Sequence, residues 1–302
     1  MEAEWPAATP MARPASRNYL GRMTPPTPLE EFVDRHRRLF VLTGAGCSVN
    51  SGIPDYRDAD GAWKRAPPVT YQAFMGEEAT RRRYWARSLI GWRRVGSAQP
   101  NDAHRALARL EAIGKSEILL TQNVDRLHQA AGSAAVIDLH GRLDHVRCMG
   151  CGRVSPRQAL QDALERLNPD WLTLEAVVAP DGDADLDGVD FSTFAVPACP
   201  RCHGVLKPDV VFFGENVPRP RVEAAMRHLE AADAMLVVGS SLMVYSGFRF
   251  VETAARAGKP AAAVNLGRTR ADPLLALKVE ASCEEALAFL LTSSGEEARL
   301  TS

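Results

Sequence analysis

An apolar strand that ends in a glycine-rich turn constrains this chain more than any other feature of its sequence. The run 39–43 is apolar and breaks into Gly44-Ala45-Gly46. A buried parallel strand has this continuous apolar pattern, and glycines after it let bare backbone amides approach a phosphate. Val49 stands where the third glycine of G-x-G-x-x-G would fall. The turn alone is therefore compatible with a nucleotide site or with an ordinary strand-to-loop turn.

Apolar runs recur along the chain with helical stretches between them. This alternation predicts an α/β fold with a doubly wound, Rossmann-like parallel sheet. The expected strands are 39–43, 117–121, 136–139, 210–213, 234–238 and 261–265, with a short seventh strand at 277–279. The expected helices are 102–113, 221–231 and 247–257. Asp102 is expected to cap the first helix, and Gly114 and Gly258 are expected at helix C-termini.

Two segments interrupt the alternation and predict a smaller domain. A helical module is expected over 55–100, and a zinc-binding module over 142–207. The Rossmann-like domain is expected to comprise 29–54, 101–141 and 208–295. Residues 1–28 are interpreted as a mobile leader and 296–302 as a tail.

Two C-x-x-C pairs predict a metal site. Cys148 and Cys151 form the first pair, and Cys199 and Cys202 the second, with 47 residues between the pairs. Four thiolates complete a closed tetrahedral shell, which favours one structural zinc ion over catalytic metal. Redox chemistry would leave the second pair unexplained, and paired disulfides do not suit a reducing compartment. His203 adjoins the second pair and is a weaker candidate for a zinc ligand than the four cysteines.

An acidic stretch inside that gap resembles the start of a calcium loop. Asp183, Asp185, Asp187 and Gly188 have the required spacing, but Phe194 occupies the position of the bidentate glutamate. Calcium is therefore rejected, and the insert at about 175–195 is expected to be a mobile loop that borders the substrate channel.

Polar residues follow the second and third expected strands. Gln122, Asn123 and Asp125 follow one strand, and His140 follows the other. The carboxyl ends of parallel strands meet at one edge of a sheet, so these side chains are expected beside the Gly44–Gly46 turn. His128 is interpreted as structural.

Six sequence blocks and the four cysteines resemble the sirtuins, a family of NAD-dependent protein deacylases. The blocks are GAGCSVNSGIPDYR (44–57), TQNVDRLH (121–128), DLHG (138–141), VFFGE (211–215), GSSL (239–242) and NLG (265–267). They occur in order, and the resemblance covers about residues 31 to 291. Tyr56 stands where most sirtuins have Phe, and Ser240 where Thr is commoner.

The resemblance implies a mechanism and a set of site residues. The acyl-lysine carbonyl oxygen attacks the ribose carbon as nicotinamide leaves. The implied catalytic residues are His140, as the general base that deprotonates a ribose hydroxyl, and Asn123, which positions the ribose with Gln122. The products are deacylated lysine and O-acyl-ADP-ribose. The implied NAD-binding residues are Gly44, Ala45, Gly46, Ser48, Ile53, Asp55, Tyr56, Arg57, Gln122, Asn123, Asp125, Gly239, Ser240, Ser241, Asn265, Gly267 and Cys283. The implied peptide-binding residues are Phe213, Gly214, Glu215 and Val244, where a substrate strand would add between two segments.

Tyr84 and Arg87 indicate which acyl group is removed. They are three residues apart and lie on one helical face. Class II sirtuins use a Tyr-x-x-Arg pair for acidic acyl chains, and a guanidinium suits a carboxylate. An arginine on a solvated helix face is the alternative. The segments 82–92, 180–186 and 239–247 resemble the mitochondrial-type class II member with a long zinc-module loop. Acidic or longer acyl groups are therefore expected over acetyl.

Three alternatives remain: a protein mono-ADP-ribosyltransferase with the same NAD site, a nucleic-acid-binding zinc module, and a weakly catalytic NAD sensor. A net charge of −1 disfavours stable nucleic-acid binding. No apolar run approaches the roughly 20 residues that cross a bilayer, so no membrane association is expected. The expected partners are acyl-lysine proteins or peptides, and a monomer is favoured. The expected compartment is the cytoplasm, or the mitochondrial matrix if the source is eukaryotic.

Overall fold

The computed structural model describes residues 25–64, 68–174, 177–178, 184–185 and 188–292. The predicted tail and most of the predicted leader lie outside these residues, as do 175–176, 179–183 and 186–187 of the acidic insert, which include Asp183 and Asp187 of the rejected calcium loop. The strands are β1 (Leu39–Thr43), β2 (Ser116–Thr121), β3 (Val136–Asp138), β4 (Gly141–Cys148), β5 (Val154–Pro156), β6 (Val177–Val178), β7 (Ala184–Asp185), β8 (Leu206–Val210), β9 (Ala234–Val238), β10 (Ala261–Val264) and β11 (Leu277–Val279). The helices are α1 (Pro28–Arg35), α2 (Tyr71–Gly76), α3 (Glu78–Val95), α4 (Asp102–Ala112), α5 (Leu127–Ala130), α6 (Arg157–Leu167), α7 (Arg219–Ala231), α8 (Tyr245–Arg256), α9 (Cys283–Leu287) and α10 (Phe289–Thr292).

The largest sheet has six parallel strands in the order β11-β10-β9-β1-β2-β3. All five residues of β1 are buried, which explains its continuous apolar run. One core cluster lies between the sheet and α1, α4, α9 and α10, and a second lies between the sheet and α7 and α8. Helices therefore cover both faces, and the predicted doubly wound Rossmann-like sheet is confirmed. The switch point between β1 and its neighbours β9 and β2 is where such sheets bind ligands.

The prediction of a strand over 210–213 in this sheet is wrong. The structure ends β8 at Val210 and pairs it antiparallel with β4 in a separate three-stranded sheet, β5-β4-β8. Phe212 packs instead against Phe74 and Tyr84, with ring centroids 5.1 and 5.3 Å away. An apolar run reports burial but does not identify the partner, and here the partner is the helical segment.

The helix starts also differ from those expected. Asn101, not Asp102, caps α4, because its side chain accepts from the backbone N–H of Ala103 at 3.0 Å and of His104 at 3.3 Å. The helices α7 and α8 begin two residues earlier than predicted. Gly114 and Gly258 follow the ends of α4 and α8 with φ of +73° and +68°, as predicted.

The three-stranded sheet, α3 and α6 share a core of aromatic and aliphatic side chains around Trp85, Phe194 and Leu164. The interpretation of 55–100 as helical holds only from Tyr71, since 55–70 has turns and isolated bridges. The boundaries of the two expected domains stay a prediction. Within the described part of the chain, no helix combines the length and apolar character needed to span a membrane.

Candidate active site

A cavity of about 380 Å³ opens beyond the carboxyl ends of β1, β2 and β9. Its size lies in the range of small-molecule sites. The structure brings most of the predicted residues to its wall: Ala45, Gly46, Ser48, Ile53, Asp55, Tyr56, Arg57, Tyr84, Gln122, Asn123, Asp125, His140, Phe213, Gly214, Glu215, Gly239, Ser240, Ser241, Val244 and Asn265.

Four predicted residues do not line this cavity: Gly44, Arg87, Gly267 and Cys283. A Cβ on Gly44 would lie 2.7 Å from the Ser240 side chain and 2.9 Å from the Gly239 carbonyl oxygen. The glycine therefore allows two loops to pack together, whereas the sequence interpretation assigned it to phosphate approach. Cys283 is buried beneath the turn, with its Sγ 3.7 Å from the Gly46 carbonyl oxygen.

A hydrogen-bonded group of polar side chains forms one wall of the cavity. Asn123 donates from Nδ2 to the Gly44 carbonyl oxygen at 3.1 Å and to Ser48 Oγ at 2.9 Å. Ser48 in turn donates to Asp125 Oδ2 at 2.7 Å. Burial raises the pKa of Asp125, although the Leu127 N–H and Ser48 oppose this shift. These hydrogen bonds hold the Asp125 carboxylate and the Asn123 amide in fixed positions in the wall that also contains Ile53. This arrangement suits recognition of a carboxamide.

Two hydrogen bonds position His140, and its ring donates one and accepts the other. Its Nδ1 lies 3.0 Å from the Gln122 carbonyl oxygen, which can only accept, so Nδ1 carries the proton. Its Nε2 then has a lone pair and accepts from Ser246 Oγ at 2.8 Å. Burial, together with the nearby Arg221 and Arg249 guanidinium groups, lowers the pKa of His140 to about 4, although its hydrogen bond to the Gln122 carbonyl oxygen opposes this shift. The imidazole is therefore neutral at physiological pH, with its basic nitrogen in the cavity wall.

Among the further residues of this wall to which sequence reasoning assigned no role are Ser246 and Arg249, both on the first turns of α8. The helix was expected to begin at 247, so these positions were not placed on its cavity-facing side. Their spacing of three residues is the signal that could have identified them. Ser246 contacts the imidazole, and Arg249 contributes a positive charge beside it.

The Val211–Glu215 segment forms the opposite side of the cavity and is held by Lys207. Its buried Nζ donates to the Val210 carbonyl oxygen and to Glu215 Oε2, the latter at 3.0 Å. The same carboxylate oxygen accepts the Phe212 N–H at 2.9 Å. This ion pair closes the loop against β8 and fixes the edge that a peptide would meet.

A second group of titratable side chains lies buried under the Gly44–Ser48 turn. Cys47, His104 and His128 have ligand atoms within 4.8 Å of one another. His128 Nε2 bonds Thr43 Oγ1 at 2.9 Å, and His104 Nδ1 bonds the Asn101 side chain at 2.8 Å. Burial lowers the pKa of His104 to about 4 and that of His128 well below its usual value. Both are therefore neutral, in keeping with the structural interpretation of His128.

The four cysteines of the predicted metal site form a cluster whose sulfur atoms all lie within 4.8 Å of one another. Cys148 and Cys202 Sγ are 3.4 Å apart, and Cys151 and Cys199 Sγ are 3.9 Å apart. Bonds of about 2.3 Å around a tetrahedral zinc place sulfurs roughly 3.7 Å apart. The backbone N–H of Cys151 lowers the pKa of the Cys148 thiol to about 6, whereas, against a backbone hydrogen bond from Gly204, the neighbouring cysteine thiols raise the pKa of Cys202 to about 12. The donor set fits a structural zinc ion.

Tyr84 and Arg87 lie on successive turns of α3 but in different surroundings. Tyr84 is 3% exposed and reaches the cavity wall, packed edge-on against Phe74 at 5.3 Å. Arg87 is half-buried and lies outside the wall.

An open parallel sheet with a polar cavity at its switch point, joined to a four-thiolate module, defines a nucleotide-binding enzyme with a structural metal site. The profile of the Sir2 family matches residues 44–246. This chain is 74% identical over 262 residues to an NAD-dependent protein deacetylase of Xanthomonas campestris pv. campestris (strain 8004), covering 87% of this chain and 89% of that protein.

It is also 72% identical over 263 residues to NAD-dependent protein deacetylase 2 of Bradyrhizobium diazoefficiens (strain JCM 10833 / BCRC 13528 / IAM 13628 / NBRC 14792 / USDA 110), covering 87% and 96% of the two chains. A solved structure of a Sir2 protein with a p53 peptide and NAD+ superposes with a TM-score of 0.71 at 30% identity, covering 89% of this chain and 99% of that one. The chain belongs to the Sir2 family, the sirtuins. The predictions of an NAD-dependent protein deacylase and of its four-cysteine cluster are confirmed.

Proposed function

We propose that this sirtuin removes acyl groups from protein lysines by the mechanism that its sequence implies. The observation that carries this proposal is the His140 imidazole, whose Nδ1 is protonated and whose Nε2 lone pair faces the cavity. In that tautomer it can accept a proton from a ribose hydroxyl. Ser246 must give up its bond to Nε2 when the ribose arrives.

The other residues bind and orient. Asp125 and Asn123 hold the carboxamide end of NAD while the acyl carbonyl oxygen bonds to the ribose carbon and the bond to nicotinamide breaks. Ser240, hydrogen-bonded to Gln122 at 2.6 Å, and Asn265 line the part of the cavity where the second ribose and adenosine would lie. Arg57 stacks 3.9 Å from the Trp63 ring centroid, which fixes its guanidinium for a phosphate. Deacylated lysine and O-acyl-ADP-ribose are the products.

We further propose that the enzyme is of the class II, mitochondrial-type branch and prefers acidic or longer acyl chains to acetyl. The Tyr84 hydroxyphenyl group forms a deep wall of the cavity, and Arg87 follows one helical turn later on α3. A longer acyl chain passing Tyr84 would bring a terminal carboxylate toward Arg87. A charge-assisted pair in that position would contribute about 1.5–3 kcal/mol, which a neutral methyl group cannot gain.

Kinetics with matched acyl-peptides test this preference. We expect Arg87→Met to lower kcat/KM for glutaryl- and succinyl-lysine peptides by about tenfold or more, while neutral acyl groups of similar length are spared. Arg83→Met is the matched control, because Arg83 is an exposed arginine of the same helix. Equal losses on acidic and neutral chains would assign Arg87 to the stability of α3 and refute the preference.

Mass spectrometry of the same reactions tests the reaction class. O-acyl-ADP-ribose indicates deacylation, whereas ADP-ribose attached to protein would indicate the transferase alternative. The two curated relatives described above are deacetylases, so the transferase is not favoured. We also propose that the enzyme acts as a monomer in the cytoplasm on acyl-lysine proteins, without stable nucleic-acid or membrane partners. The near-zero net charge and the six free cysteines support this proposal.

A further inference from the structure

Two arginines flank an exposed aromatic ring beside the cavity. Tyr245 is 52% exposed, and its ring centroid lies 5.2 Å from Arg249 Cζ and 5.8 Å from Arg270 Cζ. Arg270 also lies 4.4 Å from the Phe248 ring centroid. Arg249 and Tyr245 line the cavity, whereas Arg270 is exposed outside its wall. The two guanidinium groups are therefore held in place by aromatic faces.

These two charges have no acidic counterpart among the described residues. Arg249 Nε is buried without a hydrogen-bond partner, and neither arginine forms an ion pair with a described residue. Within the described part of the chain, the Arg270 guanidinium donates only to the Met243 carbonyl oxygen, at 3.4 Å. The nearby Glu252 is paired with Arg256 at 2.9 Å. A buried guanidinium nitrogen without an acceptor carries a desolvation cost that an incoming anion would offset.

The position of the pair indicates where the anion would come from. Arg249 lies on the same wall as Val244 and His140, and the lysine of a substrate must pass this wall for its acyl group to reach His140. The residues next to that lysine then run along Val244 and Tyr245 toward Arg270. Resting on the deacylase function proposed above, we propose that Arg249 and Arg270 form a subsite for a carboxylate of the substrate.

Two parts of a substrate could supply this carboxylate: an acidic side chain beside the acyl-lysine, or the end of an acidic acyl chain. Paired peptides separate them. One pair carries acetyl-lysine with Glu or Gln at each flanking position, and the other carries glutaryl-lysine or its neutral amide with uncharged flanks. For each pair, Kd by calorimetry and kcat/KM are measured with the wild-type enzyme, Arg249→Gln, Arg270→Gln and the control Arg256→Gln. Arg256 lies on the same helix and is paired with Glu252.

We expect the wild-type enzyme to favour the acidic member of one pair by roughly tenfold or more, mainly through Kd and KM. Arg249→Gln and Arg270→Gln should each reduce this ratio toward one, and Arg256→Gln should leave it unchanged. The pair whose ratio falls in Arg249→Gln and Arg270→Gln identifies the source of the carboxylate bound at this subsite. Wild-type ratios near one for both pairs, or ratios that persist in both variants, would overturn the subsite. Absence of turnover on every peptide would instead refute the deacylase proposal, and the Kd ratios would still decide the subsite.

Discussion

The two hydrogen bonds of His140 determine which of its nitrogens can act as a base. A carbonyl oxygen on Nδ1 leaves Nε2 as the only acceptor, and burial keeps the ring neutral down to a pKa of about 4. A neutral form is the one required of a proton acceptor. The cost is a weaker base than an exposed histidine would be, so ordering of the ribose beside Nε2 must compensate.

We predict that His140→Ala lowers kcat for deacylation by about 10²–10⁴ while NAD binding persists. The acidic limb of kcat/KM in the wild-type enzyme should lie well below 6.5, because protonation of His140 in the free enzyme begins only near its pKa of about 4. Stopped-time product assays across pH and calorimetric NAD titration measure both effects. A limb centred at 6.5 that disappears in the variant would show that His140 is solvated in the free enzyme.

For individual residues, the sequence predicted the chemical groups of the site better than it predicted where their side chains lie. Asn123, Asp125 and His140 follow strand ends, and strand ends of a parallel sheet meet at one edge, so their convergence could be foreseen. Ser246 and Arg249 could not, because their contact with the cavity depends on where α8 begins. Gly44 was identified correctly as a place for glycine but for a different reason, since its neighbour is the Gly239–Ser240 loop.

Among the elements, the four-cysteine module depends most on a ligand. Each of its two C-x-x-C pairs lies in a short turn, one around Gly150 and the other around Gly204. A Cβ on either glycine would lie 3.1 to 3.3 Å from cysteine sulfurs. Backbone hydrogen bonds such as that from the Cys199 N–H to the Gly204 carbonyl oxygen, at 3.0 Å, shape each turn, and a metal ion bound by all four sulfurs would tie the two turns together. Strand β4 ends in the first cysteine pair, and β8 begins shortly after the second. Strand β8 then continues into the Val211–Glu215 segment that borders the cavity.

We predict that Cys148→Ser, or removal of zinc by a chelator, lowers thermal stability and activity together, because metal binding is coupled to folding. His203→Asn is the control: the residue adjoins Cys202 and has a positive φ of +56° that asparagine tolerates. It should retain one zinc per chain by atomic absorption. A Cys148→Ser protein that remained folded and zinc-loaded but inactive would indicate cysteine chemistry instead.

The strands of the parallel sheet could be predicted because their apolar runs reflect burial, which is complete in β1, β9 and β10 and partial in the edge strands β3 and β11. The run 210–213 has the same pattern for another reason: Phe212, its one buried side chain, packs against Phe74 of α2 and Tyr84 of α3. An apolar run in the sequence indicates that a segment is buried, but it does not indicate which elements the segment packs against. The same limit explains why 55–70 was assigned to a helical module although it contains turns.

For the whole molecule, three buried neutral histidines make stability depend on pH. Burial lowers the pKa values of His104 and His140 to about 4 and that of His128 well below its usual value. The unfolded chain binds protons at these groups near pH 6.5, whereas the folded chain does not. Their contribution to stability is therefore complete above about pH 6.5 and is lost as pH falls toward 4.

We predict that the free energy of unfolding decreases between pH 7 and 5 by up to about 1.4 kcal/mol per pH unit for each histidine. Urea unfolding at several pH values measures this slope. His128→Gln should reduce the slope even if it lowers stability at pH 7. A slope that is unchanged in His128→Gln would mean that other groups control acid unfolding.

The central position of β1 has a consequence for synthesis of the protein. One edge of β1 pairs with β2, but the other pairs with β9, whose residues 234–238 follow it by nearly two hundred positions. At about 5–20 residues per second, roughly 10 to 40 seconds separate translation of the two strands. Throughout that interval Leu39–Thr43, among the most apolar segments of the chain, has an unpaired edge that can associate with other chains. The strand that positions the nucleotide turn is thus the part of the nascent protein most in need of protection by chaperones.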